Sequence, residues 1–118
     1  MSVNVDEFEE IINIVRNRVK DLAIVGGYGH VGDGNIHINV TANKREDTEK
    51  VGELLKPYVL EEVGKRKGSI SAEHGIGFEK AKYLHLSKPL KYIETMKLIK
   101  KAWDPNEIMN PGKVFYKP

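Results

Sequence analysis

Gly26-Gly27-Tyr28-Gly29-His30-Val31-Gly32-Asp33-Gly34-Asn35-Ile36-His37-Ile38-Asn39 is the stretch on which the reading of this chain turns. Asp33-Gly34 is a strong signal for a two-residue hairpin, because a type I′ turn requires positive φ at both central positions. A turn there sets residues 22–28 and 35–41 antiparallel, with His30 across from His37 and Tyr28 across from Asn39. Directly opposed Cβ atoms lie ~4.5–5.5 Å apart. Two imidazoles at that separation can close on one metal ion with bonds of ~2.0–2.1 Å. Alternation then divides the ribbon into a side of Tyr28, His30, His37 and Asn39 and a side of Val31, Ile36 and Ile38. A lone histidine beside glycines is ordinarily a surface residue. Two of them opposed across a turn, on the face away from the aliphatics, point to a metal or catalytic site.

Outward from the hairpin, the spacing of apolar residues predicts the remaining elements. Residues 2–5 alternate polar and apolar, as in a short edge strand. From Asp6 a helix follows through Phe8, Ile11, Ile12, Ile14, Val15 and Val19, with Asp6 as N-cap and Glu9 as its N3 partner. Val51, Leu54, Leu55, Tyr58, Val59 and Val63 mark a second amphipathic helix over residues 47–65, with Pro57 as a kink. Residues 68–72 read as a strand, and residues 78–86 and 90–102 as helices. Asp104, Pro105 and Glu107 start a last turn as cap, N1 and N3 residues. The order β-α-β-β-α-β followed by helices predicts an α+β fold. Its form is a ferredoxin-like antiparallel sheet with helices on one face, plus C-terminal helices. The other sheet face is left free for a site or for another domain.

Composition narrows the function classes. The 118 residues are 40% hydrophobic and 31% charged, the profile of one ordinary globular domain, here spanning residues 1–118. No apolar stretch approaches the ~18 residues needed to cross a bilayer. The first residues carry Asp6, Glu9 and Glu10 without an apolar run, so no secretory signal is expected. A net charge of +2 with dispersed basic residues argues against a nucleic-acid partner. The absence of cysteine removes disulfides and thiolate metal sites together.

A second cluster, Ser71-Ala72-Glu73-His74-Gly75-Ile76-Gly77, follows the last expected sheet strand. Glu73 offers a hard anionic oxygen, and His74 an imidazole that can serve as base or acid. With the hairpin histidines, a His, His, Glu set is the ligand composition of catalytic zinc sites. His85 has no acidic or histidine partner near it and reads as a surface or structural residue. By local chemistry alone, Asn110-Pro111-Gly112-Lys113 is a helix exit followed by a turn.

Taken together, residues 29–37, residues 71–77 and residues 104–113 resemble the C-terminal domain of FAD-linked oxidases. This is the vanillyl-alcohol oxidase superfamily branch that includes D-lactate and glycolate dehydrogenases. The continuation His37-Ile38-Asn39 is most similar to the D-2-hydroxyglutarate members. The resemblance implies that His30, His37 and Glu73 bind a divalent metal, usually zinc, and that His74 is the catalytic base and touches substrate. It implies that Asn39 contacts substrate and that Asn110 and Lys113 lie near the flavin. The implied activity is FAD-dependent oxidation of a small D-2-hydroxyacid, of the 2-hydroxyglutarate, lactate or glycolate type, to the 2-oxoacid. Members carry a longer FAD-binding domain ahead of this region, so the chain is expected to be a catalytic piece, inactive alone. Its expected partner is that domain, in the full-length chain or in a partner subunit, with an unspecified electron acceptor. The implied compartment is mitochondrial in a eukaryote and cytoplasmic in a prokaryote. Two other classes share the residue set: a stand-alone module that binds a metal or small acid without turnover, and a metal-dependent hydrolase.

Overall fold

The computed structural model describes residues 1–117. Its centre is an antiparallel pair, β1 (Ala23–His30) and β2 (Asn35–Ala42). Ala23, Val25 and Ile36 are buried on one face of this ribbon, while Ile24, Tyr28 and His30 are exposed on the other. Two helices cover the buried face. In α1 (Phe8–Val19), Ile11, Val15 and Val19 recur every four residues and are each 1% exposed, so the helix presents one apolar stripe. In α2 (Thr48–Lys65), Val51, Leu55, Val59, Leu60 and Val63 are buried, and the helix runs through Pro57 as one element.

The core falls into two adjoining clusters. Val15, Val19, Ala23, Val25, Val51, Leu55 and Val59 form one, under the open end of the ribbon. Val3, Ile11, Ile36, Leu60, Val63 and Ile70 form the other, under the hairpin turn. Ion pairs fasten the outer edge of the helix pair. Arg66 meets Glu62 at 2.7 Å, Glu10 at 2.7 Å and Glu7 at 3.5 Å, tying the end of α2 to the start of α1.

The structure is α+β, and it departs from the expected four-stranded sheet. Residues 2–5 and 68–72 do not form strands; Ser2 makes single antiparallel bridges to Asn35 and to Ser69. Both segments are cut short by turns. Asn4 caps a 3-10 turn over Val5–Glu7, in a capping box with Glu7, immediately after Val3. Ala72, at φ 46°, turns the other segment just past Ile70. The expected Asp6 and Glu9 cap does not form: Asn4 and Glu7 cap the 3-10 turn that leads into α1, and α1 itself starts after Glu7 with no side-chain cap.

The C-terminal part is less regular than its spacing predicts. Residues 78–86 contain a six-residue 3-10 helix, Ala81–Leu86, and no α-helix. The next element, α3 (Leu90–Trp103), buries none of its fourteen residues. Leu90, Tyr92, Leu98, Ile99 and Trp103 all stand exposed on it. Asp104 does not open a further helix. Only 4% exposed, it accepts the backbone amides of Ile108 and Met109 at 3.0 Å each and the Lys100 ammonium at 2.5 Å, organising a loop. No described helix is long and apolar enough to cross a membrane.

Candidate functional site

The hairpin turns differently from the I′ expectation. Val31–Asp33 form a short 3-10 turn closed by Gly34, so the connection is four residues long. Asp33 organises this loop by accepting the amide of Asn35 on Oδ1 at 3.2 Å. Gly34 sits at φ 71°, where a Cβ would lie 2.3 Å from the Val3 carbonyl oxygen, and glycine alone fits. The longer loop slides the register by two. Tyr28 therefore faces His37, His30 faces Asn35, and Gly26 faces Asn39. A one-residue slip would have inverted the ribbon, whereas a two-residue slip leaves every side chain on its face. The side expected to carry Tyr28, His30, His37 and Asn39 does carry them, and Asn35 joins them there.

Tyr28 stacks on His37 with ring centroids 5.1 Å apart and 12° between planes, which fixes the orientation of that imidazole. His30 lies diagonally across the ribbon, 6.2 Å from His37 ring to ring. The second cluster reaches the same place from the other side. The Ser69 hydroxyl accepts the amides of Ser71 and Ala72 at 3.4 and 3.1 Å, and the His74 amide closes a turn on the Ser71 carbonyl at 2.9 Å. Neighbours on a regular strand point apart. The turn at Ala72 removes that constraint, and both Glu73 and His74 point at the hairpin. Glu73 Oε1 is 3.5 Å from His37 Nε2 and 3.4 Å from His74 Nε2. The His74 ring stands edge-on to His37 at 5.5 Å.

His30, His37 and Glu73 each offer one ligand atom, and these atoms all lie within 4.8 Å of one another. Two donors on one tetrahedral ion with bonds of ~2.1 Å lie ~3.4 Å apart. Exposed His30 has the rotamer freedom to close the remaining ångström or so. Two imidazoles and a carboxylate also match the donor chemistry of a divalent transition ion, so the residues fit such a metal.

The other expected residues lie around this cluster. Asn39 is exposed on the same face, two residues beyond His37. Asn110 and Lys113 do not join the histidines. They line a separate groove of about 260 Å³ with Lys97, Lys101 and Tyr116. That is below the ~300–1,000 Å³ of sites that enclose a drug-sized ligand, so it fits one edge of a dinucleotide at most. The groove is nevertheless tied to the cluster, since the Val114 amide donates to the Gly77 carbonyl at 2.8 Å. His85 is exposed on the 3-10 helix, away from the site. One participant escaped the sequence reading. Asn35 is 3% exposed, and its Nδ2 donates to Glu73 Oε2. The available signal was an asparagine opening a strand of β-branched residues, a setting in which Asn is disfavoured.

A family profile for the C-terminal domain of FAD linked oxidases matches residues 1–114, and the chain belongs to that family. Its relatives give the family a more particular cast. A protein of Arabidopsis thaliana named D-2-hydroxyglutarate dehydrogenase, mitochondrial, is 47% identical over 114 residues, covering 97% of this chain and 20% of the relative. A probable D-2-hydroxyglutarate dehydrogenase, mitochondrial, of Oryza sativa subsp. japonica is 45% identical over the same shares. The D-2-hydroxyglutarate dehydrogenase of Stutzerimonas stutzeri is 46% identical over 111 residues, covering 91% of this chain and 24% of the relative. The chain thus spans about a fifth to a quarter of the length of these relatives.

Proposed function

We propose that residues 1–118 form the metal- and substrate-binding part of an FAD-linked D-2-hydroxyacid dehydrogenase, which oxidises the acid to the 2-oxoacid. The observation that carries this reading is the convergence of His30, His37 and Glu73, from two separate segments, with His74 against the same carboxylate oxygen. The names of the relatives favour D-2-hydroxyglutarate as substrate. The same names favour a mitochondrial protein if the source is eukaryotic. The flavin is held mainly by residues outside this chain, with Asn110 and Lys113 offering contacts at one edge. Tyr28, His30 and Asn39 stand exposed on the histidine-bearing face of the two-stranded ribbon, where a substrate can approach.

When bound, a divalent ion, zinc by resemblance, supplies Lewis-acid activation of the substrate hydroxyl, and the flavin supplies the hydride acceptor. His30, His37 and Glu73 hold the ion. His74 is placed by the Ala72 turn so that a ring nitrogen can take the hydroxyl proton. Glu73 orients that imidazole through the 3.4 Å approach of Oε1. Asn39 offers an amide donor and acceptor on the open face, suited to a carboxylate oxygen of the acid. Tyr28 keeps the His37 ring from rotating out of the site.

The test is metal content. Purified chain loaded with zinc and desalted is expected to retain one ion, and a His30→Ala, His37→Ala double variant to retain none. Equal retention by the two proteins refutes the reading.

A further inference from the structure

Asn35 is one of two buried polar residues described in this chain, and its side chain is spent on Glu73. The backbone that carries it is pinned from three sides. It pairs with His30 across the ribbon, bridges to Ser2 on its other edge, and donates its amide to Asp33. Glu73, by contrast, sits on a loop with a half-exposed side chain, and Asn35 is the one fixed amide donor to its carboxylate among the described residues. The two carboxylate oxygens are therefore not equivalent. Oε2 is held by the Asn35 amide, while Oε1 is turned to His37 and His74.

We infer that Asn35 is a positioning residue that restricts Glu73 to one-oxygen coordination of the metal, leaving the remaining positions on the ion to substrate. This rests on the metal reading of His30, His37 and Glu73 proposed above. Partners one step removed from the ion orient the ligands that touch it, and their loss typically weakens binding ~10–100-fold. A packing role alone does not account for an asparagine here. Its buried Oδ1 has no hydrogen-bond partner among the described residues, and an apolar side chain of the same branched shape would avoid that penalty. Reversing the amide would satisfy nothing, since it would turn the oxygen toward the Glu73 carboxylate.

The experiment uses the 118-residue chain, Co²⁺ as the probe, and the variants Asn35→Leu and Asn35→Ala. Leucine slightly overfills the site and alanine underfills it, so packing effects diverge between them while loss of the donor is common to both. The Co²⁺ affinity of both variants is expected to fall ~10–100-fold. The visible absorption band of the bound ion should change shape as Glu73 is released to bind through both oxygens. The metal-free melting temperature of Asn35→Leu should match or exceed that of the parent chain. Parent-like affinity and spectrum in both variants overturn the inference, with the metal site left standing. Affinity that falls only in step with metal-free stability makes Asn35 a packing residue and overturns it too. Failure of the parent chain to bind Co²⁺ removes the metal site itself.

Discussion

Gly29 occupies the tightest point of the ribbon, and replacing it with alanine tests whether the site depends on that closeness. A Cβ there would lie 2.0 Å from the Asn35 carbonyl oxygen, 2.9 Å from Ile36 Cα and 3.0 Å from the Asn35 carbonyl carbon. Ordinary contact begins at 3.4 Å, so β1 and β2 must part by about 1.4 Å beside the His30–Asn35 pair. Every atom in the way is backbone, so no side-chain rotamer can relieve it. A displacement of that size costs ~1–3 kcal/mol in strain. It also stretches the one or two ladder bonds nearest the pair, worth ~0.5–1.5 kcal/mol each. The sum, ~2–6 kcal/mol, is a large share of the ~5–15 kcal/mol that holds a typical domain together. At several degrees per kcal/mol, Gly29→Ala should melt ~10–25 °C below the parent chain, followed by circular dichroism. Gly26→Ala is the internal control, because its Cβ would meet nothing within 4 Å. Melting of Gly29→Ala within a degree or two of Gly26→Ala would refute the steric reasoning.

Ile11→Ala, which empties a 1%-exposed position of the core under the turn, should cost ~2–5 kcal/mol in urea unfolding with little change in slope; a cost below ~1 kcal/mol would mean the cluster collapses around the gap. Lys65 and then Arg66 hold the Glu62 carboxyl below its usual range. That stabilisation is complete above the ordinary glutamate pKa of ~4.3 and is lost as pH falls through the lower folded value. Glu62→Gln should therefore flatten the acid limb of melting temperature against pH. The slope should not vanish, because Lys100 first of all holds Asp104 low and acts in the same direction; identical acid limbs in parent and variant would contradict this. In the FAD-linked dehydrogenase proposed above, His74→Ala should slow single-turnover flavin reduction ~10²–10⁴-fold with the metal retained. Loss of the metal would make His74 a ligand, and undiminished reduction would remove it from the chemistry.

The two central helices and the sorting of the hairpin were legible because both rest on periodicity. Ile11, Val15 and Val19 announce a buried stripe, and Ile36, Ile38 and Val40 announce a face, whatever the turn between the strands does. The turn itself is not set by local periodicity. Asp33-Gly34 satisfies the rule for a two-residue loop, but Asp33 uses its carboxylate to hold Asn35, and Gly34 meets Val3 from 31 residues away. Local chemistry does not contain that contact. The outer strands failed for a related reason: alternation in residues 2–5 says nothing of the Asn4–Glu7 capping box that ends the extended run. His30, His37, Glu73 and His74 could be named as a set from their motifs, and the spacing left their joining to tertiary structure. Asn35 could not be singled out, since its role lies in a partner 38 residues further along.

Helix α3 has a practical consequence of its own. A fourteen-residue helix with no buried residue lies near the ~12–15 residues at which an isolated helix is only marginally stable in water. Its amides should exchange with solvent through local opening, well ahead of those of Ile11 or Val63, which await global unfolding. The chain's only tryptophan, Trp103, stands at the end of this helix, 84% exposed. Its indole is already in water when the core is intact. Intrinsic fluorescence from this protein is therefore a gauge of what comes to lie against α3, and a poor witness to whether the rest of the chain is folded.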